Sequence, residues 1–357
     1  MKNFNLLLLA LAAALAALFT AGYGVHRAGN ALVNSAVETY YAAKLQHNPL
    51  NKMPGPLLYS RVRYQLLTDY SSLYYTPADM EKDPRDRILL AGPSNLGSSL
   101  WLDAGERLPP RYSLHTASVG GFHINEMSAM LDIYGRYHNF FGRRNVVVLG
   151  LSFFCFQESP SDTRTGIFND VISRAKIYSR AEDGTYRRRP FYALNMMTNE
   201  IRMFYLGAYF HLRNLVIKSS ESAFGKKMSF DELLENSKKM YAALNDPAPR
   251  EANWRALGEL ATRLRAEGQK VIVIAMPMRA AVNRFPLQEQ FKQRIKTAAG
   301  AYGFDYVDLS GFLREDEFYS DSLVYYNYTG RVRLTDRFIE MEAKDYGGDL
   351  FGPQRGF

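Results

Sequence analysis

The residues best placed to do chemistry are Gly92-Pro93-Ser94-Asn95, directly after the short apolar run Arg87–Ala91. A serine on a tight glycine turn between a strand and a helix is placed as a nucleophile, with backbone N–H groups at hand for an oxyanion. Ser94 and Asn95 are equally good helix N-caps, so the local sequence supports either role. A phosphate loop is a third possibility, because GPSNLGSS over 92–99 keeps the glycine spacing. Ser98 stands where such a loop carries the lysine for the β/γ-phosphates, which argues against nucleotide binding.

A serine hydroxyl becomes a useful nucleophile only when a neighbouring base takes its proton. The six histidines are at 26, 47, 115, 123, 138 and 211, so the last 146 residues contain none. His115 and His123, either side of Gly120-Gly121, are the candidate bases; each also reads as a core or turn histidine. No Ser-x-x-Lys motif offers a lysine instead. Glu315-Asp316-Glu317 is acidic, but adjacency does not make the pair of separated carboxylates that glycoside hydrolysis needs. Tyr40-Tyr41, Tyr74-Tyr75 and Tyr325-Tyr326 could stack on sugars or fill core and interface. The single cysteine, Cys155, excludes an internal disulfide and a thiolate zinc site. No metal and no cofactor are expected.

Four apolar runs must position these groups: Arg87–Ala91, Asn145–Leu149, Lys270–Ala275 and Phe304–Leu309. Helical patterns over 125–137, 253–267 and 287–301 lie between them. Uninterrupted apolar strands alternating with amphipathic helices predict an α/β fold, a mostly parallel sheet covered on both faces. The stretch 159–248 breaks the rhythm and reads as a helical insertion. With 47% hydrophobic and 22% charged residues the 357-residue chain is of globular composition. The predicted organisation is a signal anchor or signal peptide over 1–27, a helix and connector over 28–84, the α/β domain over 85–345 and a tail over 346–357.

Phe4–Val25 is uncharged for 22 residues, long enough to cross a bilayer as a helix. Thr20-Ala21-Gly22 could instead serve as a cleavage site, which would make the domain secreted. Either way the main domain is expected outside the cytoplasmic membrane. The balance of 44 Lys+Arg against 36 Asp+Glu gives only +8, concentrated at Arg143-Arg144, Arg187-Arg188-Arg189 and Arg331/Arg333/Arg337. Such clusters are solvated surface or sites for anionic lipid headgroups or cell-wall polymers. No nucleic-acid-binding signature accompanies them.

Four blocks in order, ILLAGPSNLGSSL, His115 to His123, VVVLGLSFF and FYSDSLVYYNYTGRVRLTDRF over 318–338, resemble the SGNH/GDSL hydrolase superfamily. Within it they resemble the membrane-anchored SGNH-like proteins that work beside membrane-bound O-acyltransferases. The resemblance covers about 85–155 and 268–340 and implies a three-layer, flavodoxin-like domain. It implies Ser94 as nucleophile, with Asn95 beside it, and Gly121 or Gly120 as a backbone oxyanion donor. Ser152 falls where many members carry an oxyanion-hole asparagine. In the last block Asn327 and Gly330 keep the family pattern, but Tyr325 occupies the histidine position. Ser322 then occupies the aspartate position, with Asp321 one residue off register, and Pro93 replaces the usual aspartate after the glycine. The implied setting is acylation, O-acetylation above all, of a cell-envelope polysaccharide beside a membrane-bound O-acyltransferase, the chain itself being non-catalytic or using an unconventional base.

Overall fold

The computed structural model describes residues 9–10, 13–14, 16–18, 20–21, 24, 72–73, 76–97, 99–100, 104–156, 172, 176–196, 198, 229, 231–235, 251–283, 286–318 and 322–354. The chain divides into two compact units: residues 1–48, 53–67 and 172–220, and residues 49–52, 68–171 and 221–357.

The larger unit is built on five strands. They are β1 (Asp86–Pro93), β2 (Tyr112–Val119), β3 (Asn145–Leu151) and, after the hairpin strands β4 (Tyr178–Arg180) and β5 (Tyr186–Arg188) of the smaller unit, β6 (Lys270–Ala275) and β7 (Asp305–Asp308). Their order is β2-β1-β3-β6-β7 and every neighbouring pair is parallel. With the hairpin set aside this is the 2-1-3-4-5 order of flavodoxin-like sheets, whose direction of winding reverses between β1 and β3. The α/β expectation therefore holds, and the sheet is parallel throughout.

Helices α1 (Ser94–Gly97), α2 (Ala104–Arg107), α3 (Ile124–Tyr137), α4 (Glu251–Ala266), α5 (Ala280–Asn283), α6 (Pro286–Tyr302) and α7 (Tyr328–Glu340) complete the sandwich. Side chains alternate across a strand, so Ile88 and Leu90 share a face with Val146, Val148, Ile272 and Ile274. Leu334 and Phe338 of α7 close that core. The other helical layer runs α3 on α4 and α4 on α6. Nearly every β1 and β3 residue is buried, which is why those strands read as unbroken apolar runs.

Two elements depart from the expectation. YSLHTASV, which forms β2, is half polar and was not among the predicted strands. It is an edge strand, and among the described residues its outer side is met by Ser72 and Thr76 and not by another strand. Thr76 Oγ1 donates to the Thr116 carbonyl (2.7 Å), and Ser72 Oγ donates to the Ser118 carbonyl and accepts from its N–H (both 2.8 Å). Side chains of this kind protect an edge from further pairing. The described part of the 159–248 insertion, expected to be helical, contains the antiparallel β4–β5 hairpin. Among the described residues no helix is long and apolar enough to cross a membrane; most of Phe4–Val25 lies outside them.

Candidate functional site

Ser94 is the first residue of α1, one position beyond the carboxyl end of β1. The turn that puts it there is unusually close. A Cβ on Gly92 would lie 2.6 Å from the Gly150 carbonyl oxygen and 2.7 Å from Leu96, and one on Gly150 would lie 2.6 Å from Leu96. The two glycines, neighbours on β1 and β3, thus leave a flat patch into which Leu96 seats, drawing α1 down onto the sheet. This is a physical requirement for Gly92 and Gly150 that the sequence alone does not declare.

Two consecutive side chains of the turn meet two consecutive tyrosines of the C-terminal loop. The Ser94 and Tyr325 hydroxyls are 2.7 Å apart, within hydrogen-bonding distance. Beside them Asn95, buried, hydrogen bonds to the Tyr326 hydroxyl, which itself donates to the Pro277 carbonyl at the end of β6 (2.9 Å). Burial pushes the Tyr326 phenol up, so it remains a neutral donor. Ser322 shapes the approach: its hydroxyl accepts from the Tyr325 N–H (2.9 Å) and the Val324 N–H (3.2 Å). At the two positions where the SGNH pattern has its acid and base, this chain has a serine that folds the loop and a tyrosine that reaches Ser94.

The remaining residues are distributed around this contact. Ser152 directly follows the carboxyl end of β3, the strand paired with β1, as Ser94 follows that of β1. Ser152 is buried, with its hydroxyl 4.0 Å from Cys155 Sγ. Burial, with the Glu126 carboxylate nearby, pushes the Cys155 thiol up to about 11, so this cysteine is not a nucleophile at neutral pH. Gly121, exposed at φ +63°, turns the chain after β2 at the same edge. Asn327 acts elsewhere. It caps α7 by accepting from the Gly330 N–H (3.1 Å) and donates to the Asp316 and Phe318 carbonyls. A Cβ on Gly330 would lie 2.4 Å from the Glu317 carbonyl oxygen, which explains the glycine of that string. Asp321 lies outside the described residues.

His115, midway along the edge strand β2, pairs with Leu89, five residues before Ser94. At about 3.3 Å per residue that is roughly 16 Å away. Its ring nitrogen is 3.0 Å from Ser113 Oγ. Burial depresses its pKa to about 4, Arg87 and Arg85 contributing. His115 is therefore a neutral, partly buried residue of β2 that does not serve Ser94. His123 is the N-cap of α3, where its N–H donates to Glu126 Oε2 (3.0 Å). The sequence reading missed the pairing of Asn95 with Tyr326; its signal was the doublet Ser94-Asn95 facing the doublet Tyr325-Tyr326.

Among the described residues no group of three or more His, Cys, Asp or Glu side chains is arranged to hold a metal ion. A cleft of about 610 Å³ lies along β7, α6 and α7, lined by Lys292, Lys296, Tyr306, Asp308 and Arg337 among others, and shares no lining residue with Ser94 and Tyr325.

No protein-family model matches the chain, and no curated protein matches it. Among solved structures it is similar to LAE5, an alpha/beta hydrolase enzyme from the metagenome of Lake Arreo, Spain. The identity is 12%, the match covers 73% of this chain and 96% of that one, and the TM-score is 0.34. At that score the likeness carries no argument about this chain.

Proposed function

We propose that the chain is a membrane-anchored, extracytoplasmic SGNH-like protein that assists acylation, O-acetylation in the first place, of a cell-envelope polysaccharide, and that its Ser94 site holds an acyl ester without rapidly cleaving it. The observation that carries this reading is the 2.7 Å Ser94–Tyr325 contact at the carboxyl edge of β1. Open parallel sheets bind ligands at that edge, where the winding reverses. Two adjoining hydroxyls there can each donate to or accept from an ester and its sugar. Tyrosine, with a reference pKa near 10, is a poor general base at neutral pH, so the Tyr325 hydroxyl gives Ser94 little of the activation an acyl-enzyme requires. The membrane anchor rests on the 22-residue apolar N-terminus. The polysaccharide and the membrane-bound O-acyltransferase partner rest on the resemblance of the sequence blocks.

A second reading has the same geometry in its favour: Tyr325 lies where a base must lie, so Ser94 would form an acyl-enzyme with the tyrosine relaying its proton. A serine-directed fluorophosphonate separates the two. We expect the full chain to stay unlabelled over hours, whereas stoichiometric labelling lost in Ser94→Ala would establish the acyl-enzyme reading. Failure of the full chain to fractionate with membranes would remove the anchor.

A further inference from the structure

The second concentration of unused chemistry lies in the smaller unit, on the β4–β5 hairpin and the turn that follows it. Residues 176–196 carry five cations (Lys176, Arg180, Arg187, Arg188 and Arg189) against two carboxylates, Glu182 and Asp183. All five cationic residues are exposed. Asp183 accepts from Thr185 and pairs with Arg187 at 3.3 Å, and Arg188 lies over the Tyr192 ring at 4.6 Å, so the arginines are anchored on the hairpin and a net positive charge remains on its exposed surface.

Beside this charge stand two large apolar side chains in water. Phe191 is 78% exposed and Leu194 is 55% exposed. Phe191 also has φ +61°, a left-handed conformation that a bulky residue adopts only at an energetic cost. Hydrogen bonds hold it there. Arg189 N–H donates to the Ile177 carbonyl (2.9 Å) and its Nε to the Tyr178 carbonyl (3.2 Å). Asn195 N–H donates to the Phe191 carbonyl (2.9 Å), and Asn195 Nδ2 to the Lys176 carbonyl (2.9 Å). A strained backbone fastened at four points so that an aromatic ring projects into solvent is costly unless the ring meets something there. The sequence continues the theme: 196–217 is rich in aromatic and aliphatic residues and contains one acidic residue, Glu200.

Arginines flanking exposed aromatic and leucine side chains match an anionic lipid interface, where cations meet headgroups and the rings sit at the acyl boundary. We propose that the hairpin and the Pro190–Met196 segment, a turn leading into a helical stretch, dock onto the surface of a bilayer containing anionic lipid, with Phe191 and Leu194 inserted and Arg187, Arg188 and Arg189 on headgroups. This contact is separate from the Ser94 site and adds a second membrane attachment to the apolar N-terminus.

The full chain carrying Phe191→Trp tests it, with vesicles of phosphatidylcholine alone or mixed with phosphatidylglycerol, the acyl chains brominated near the interface. The two native tryptophans set the background. We expect blue-shifted emission, quenched by the brominated lipid in the anionic vesicles and several-fold less in the neutral ones. Adding Arg187→Glu and Arg188→Glu should weaken the quenching about tenfold or more in the lipid concentration required, since each cation near an anionic surface contributes substantially. Equal quenching in both vesicle types overturns the recognition of anionic lipid. Flotation with vesicles but no quenching overturns the docking while leaving the N-terminal anchor intact. No flotation overturns both. A response to a soluble anionic polysaccharide and not to vesicles assigns the patch to a polymer and overturns the proposal.

Discussion

The two edges of the β-sheet are built on different principles. At the amino-terminal edge, charge and backbone are tied together. Arg87 is almost wholly buried and donates to the Met80 and Phe140 carbonyls (3.1 Å each). Lys270 pairs with Asp305 at 2.5 Å, and the Tyr346 hydroxyl donates to the same carboxylate at 2.9 Å. The C-terminal segment is strapped across this edge, with Leu350 N–H donating to the Tyr112 hydroxyl (3.0 Å) and Lys270 donating to the Gly352 carbonyl (3.0 Å). At the carboxyl edge the contacts made by Ser94 and Asn95 with the two tyrosines are hydroxyl to hydroxyl and amide to phenol, with the ion pairs Arg279–Glu315 and Arg333–Glu317 in the adjoining segments. The ties at the amino-terminal edge join several elements and hold the fold; under the proposed function, recognition belongs to the hydroxyl pair at Ser94.

The comparison breaks most sharply if the hydroxyl pair is given a base. In Ser322→Asp/Tyr325→His, an aspartate takes over acceptance from the Val324 and Tyr325 N–H groups, and an imidazole enters hydrogen-bond reach of Ser94. General-base catalysis contributes about 10²–10⁴-fold. Hydrolysis of p-nitrophenyl acetate should rise by on the order of 10²-fold or more over wild type, and Ser94→Ala in the double variant should abolish the gain. An unchanged rate in a folded double variant would mean that the carboxyl edge is not one substitution pair away from an esterase.

How much of this was legible follows from where the determinants lie. The apolar strands β1, β3 and β6 announce themselves because both faces are covered and few polar residues interrupt them, whereas β7, DYVD at the far edge of the sheet, announces itself through Val307 and the flanking Phe304 and Leu309. Strand β2 does not, since an edge strand satisfied by Ser72 and Thr76 tolerates Ser113, His115, Thr116 and Ser118 in its sequence. Ser94 was visible from its place after β1, and Tyr325 from its place in the last block. What was not read is that Asn327 caps a helix, or that Asn95 is engaged by Tyr326. The cap on Gly330 is local, three residues on, but the bonds of Asn327 to the Asp316 carbonyl and of Tyr326 to Asn95 and Pro277 join residues that only the folded chain brings near.

His115 tests the structural half of the sheet by pH. Its folded pKa of about 4 lies below the unfolded value near 6.5, so only the unfolded chain takes up the proton between those values. Stability is full above pH 6.5 and falls as the pH drops toward 4. A shift of that size corresponds to about 2 kcal/mol after allowance for partial exposure. Urea melts at pH 7 and pH 4 should show the loss in wild type and a flatter profile in His115→Gln. An unchanged acid limb in that variant would place the origin of the pH dependence elsewhere.

The smallest effects come from removing one hydroxyl at each edge, and they sharpen the comparison best because the substitution is the same. Tyr346→Phe leaves Asp305 without one of its two partners at a partly buried site; a hydrogen bond to a charged group is worth about 1.5–3 kcal/mol. Tyr325→Phe removes a neutral, half-buried bond worth about 0.5–1.5 kcal/mol. Thermal melts should therefore rank Tyr346→Phe as the more damaging, and by a small margin. Binding should rank them the other way. An acetylated oligosaccharide titrated onto each variant should bind Tyr346→Phe as it binds wild type, and bind Tyr325→Phe several-fold more weakly, because a donor on the ligand's side of Ser94 is gone. Equal loss of binding in both variants would show that the two edges are not separable and that the hydroxyl pair at Ser94 is one more tie in the fold.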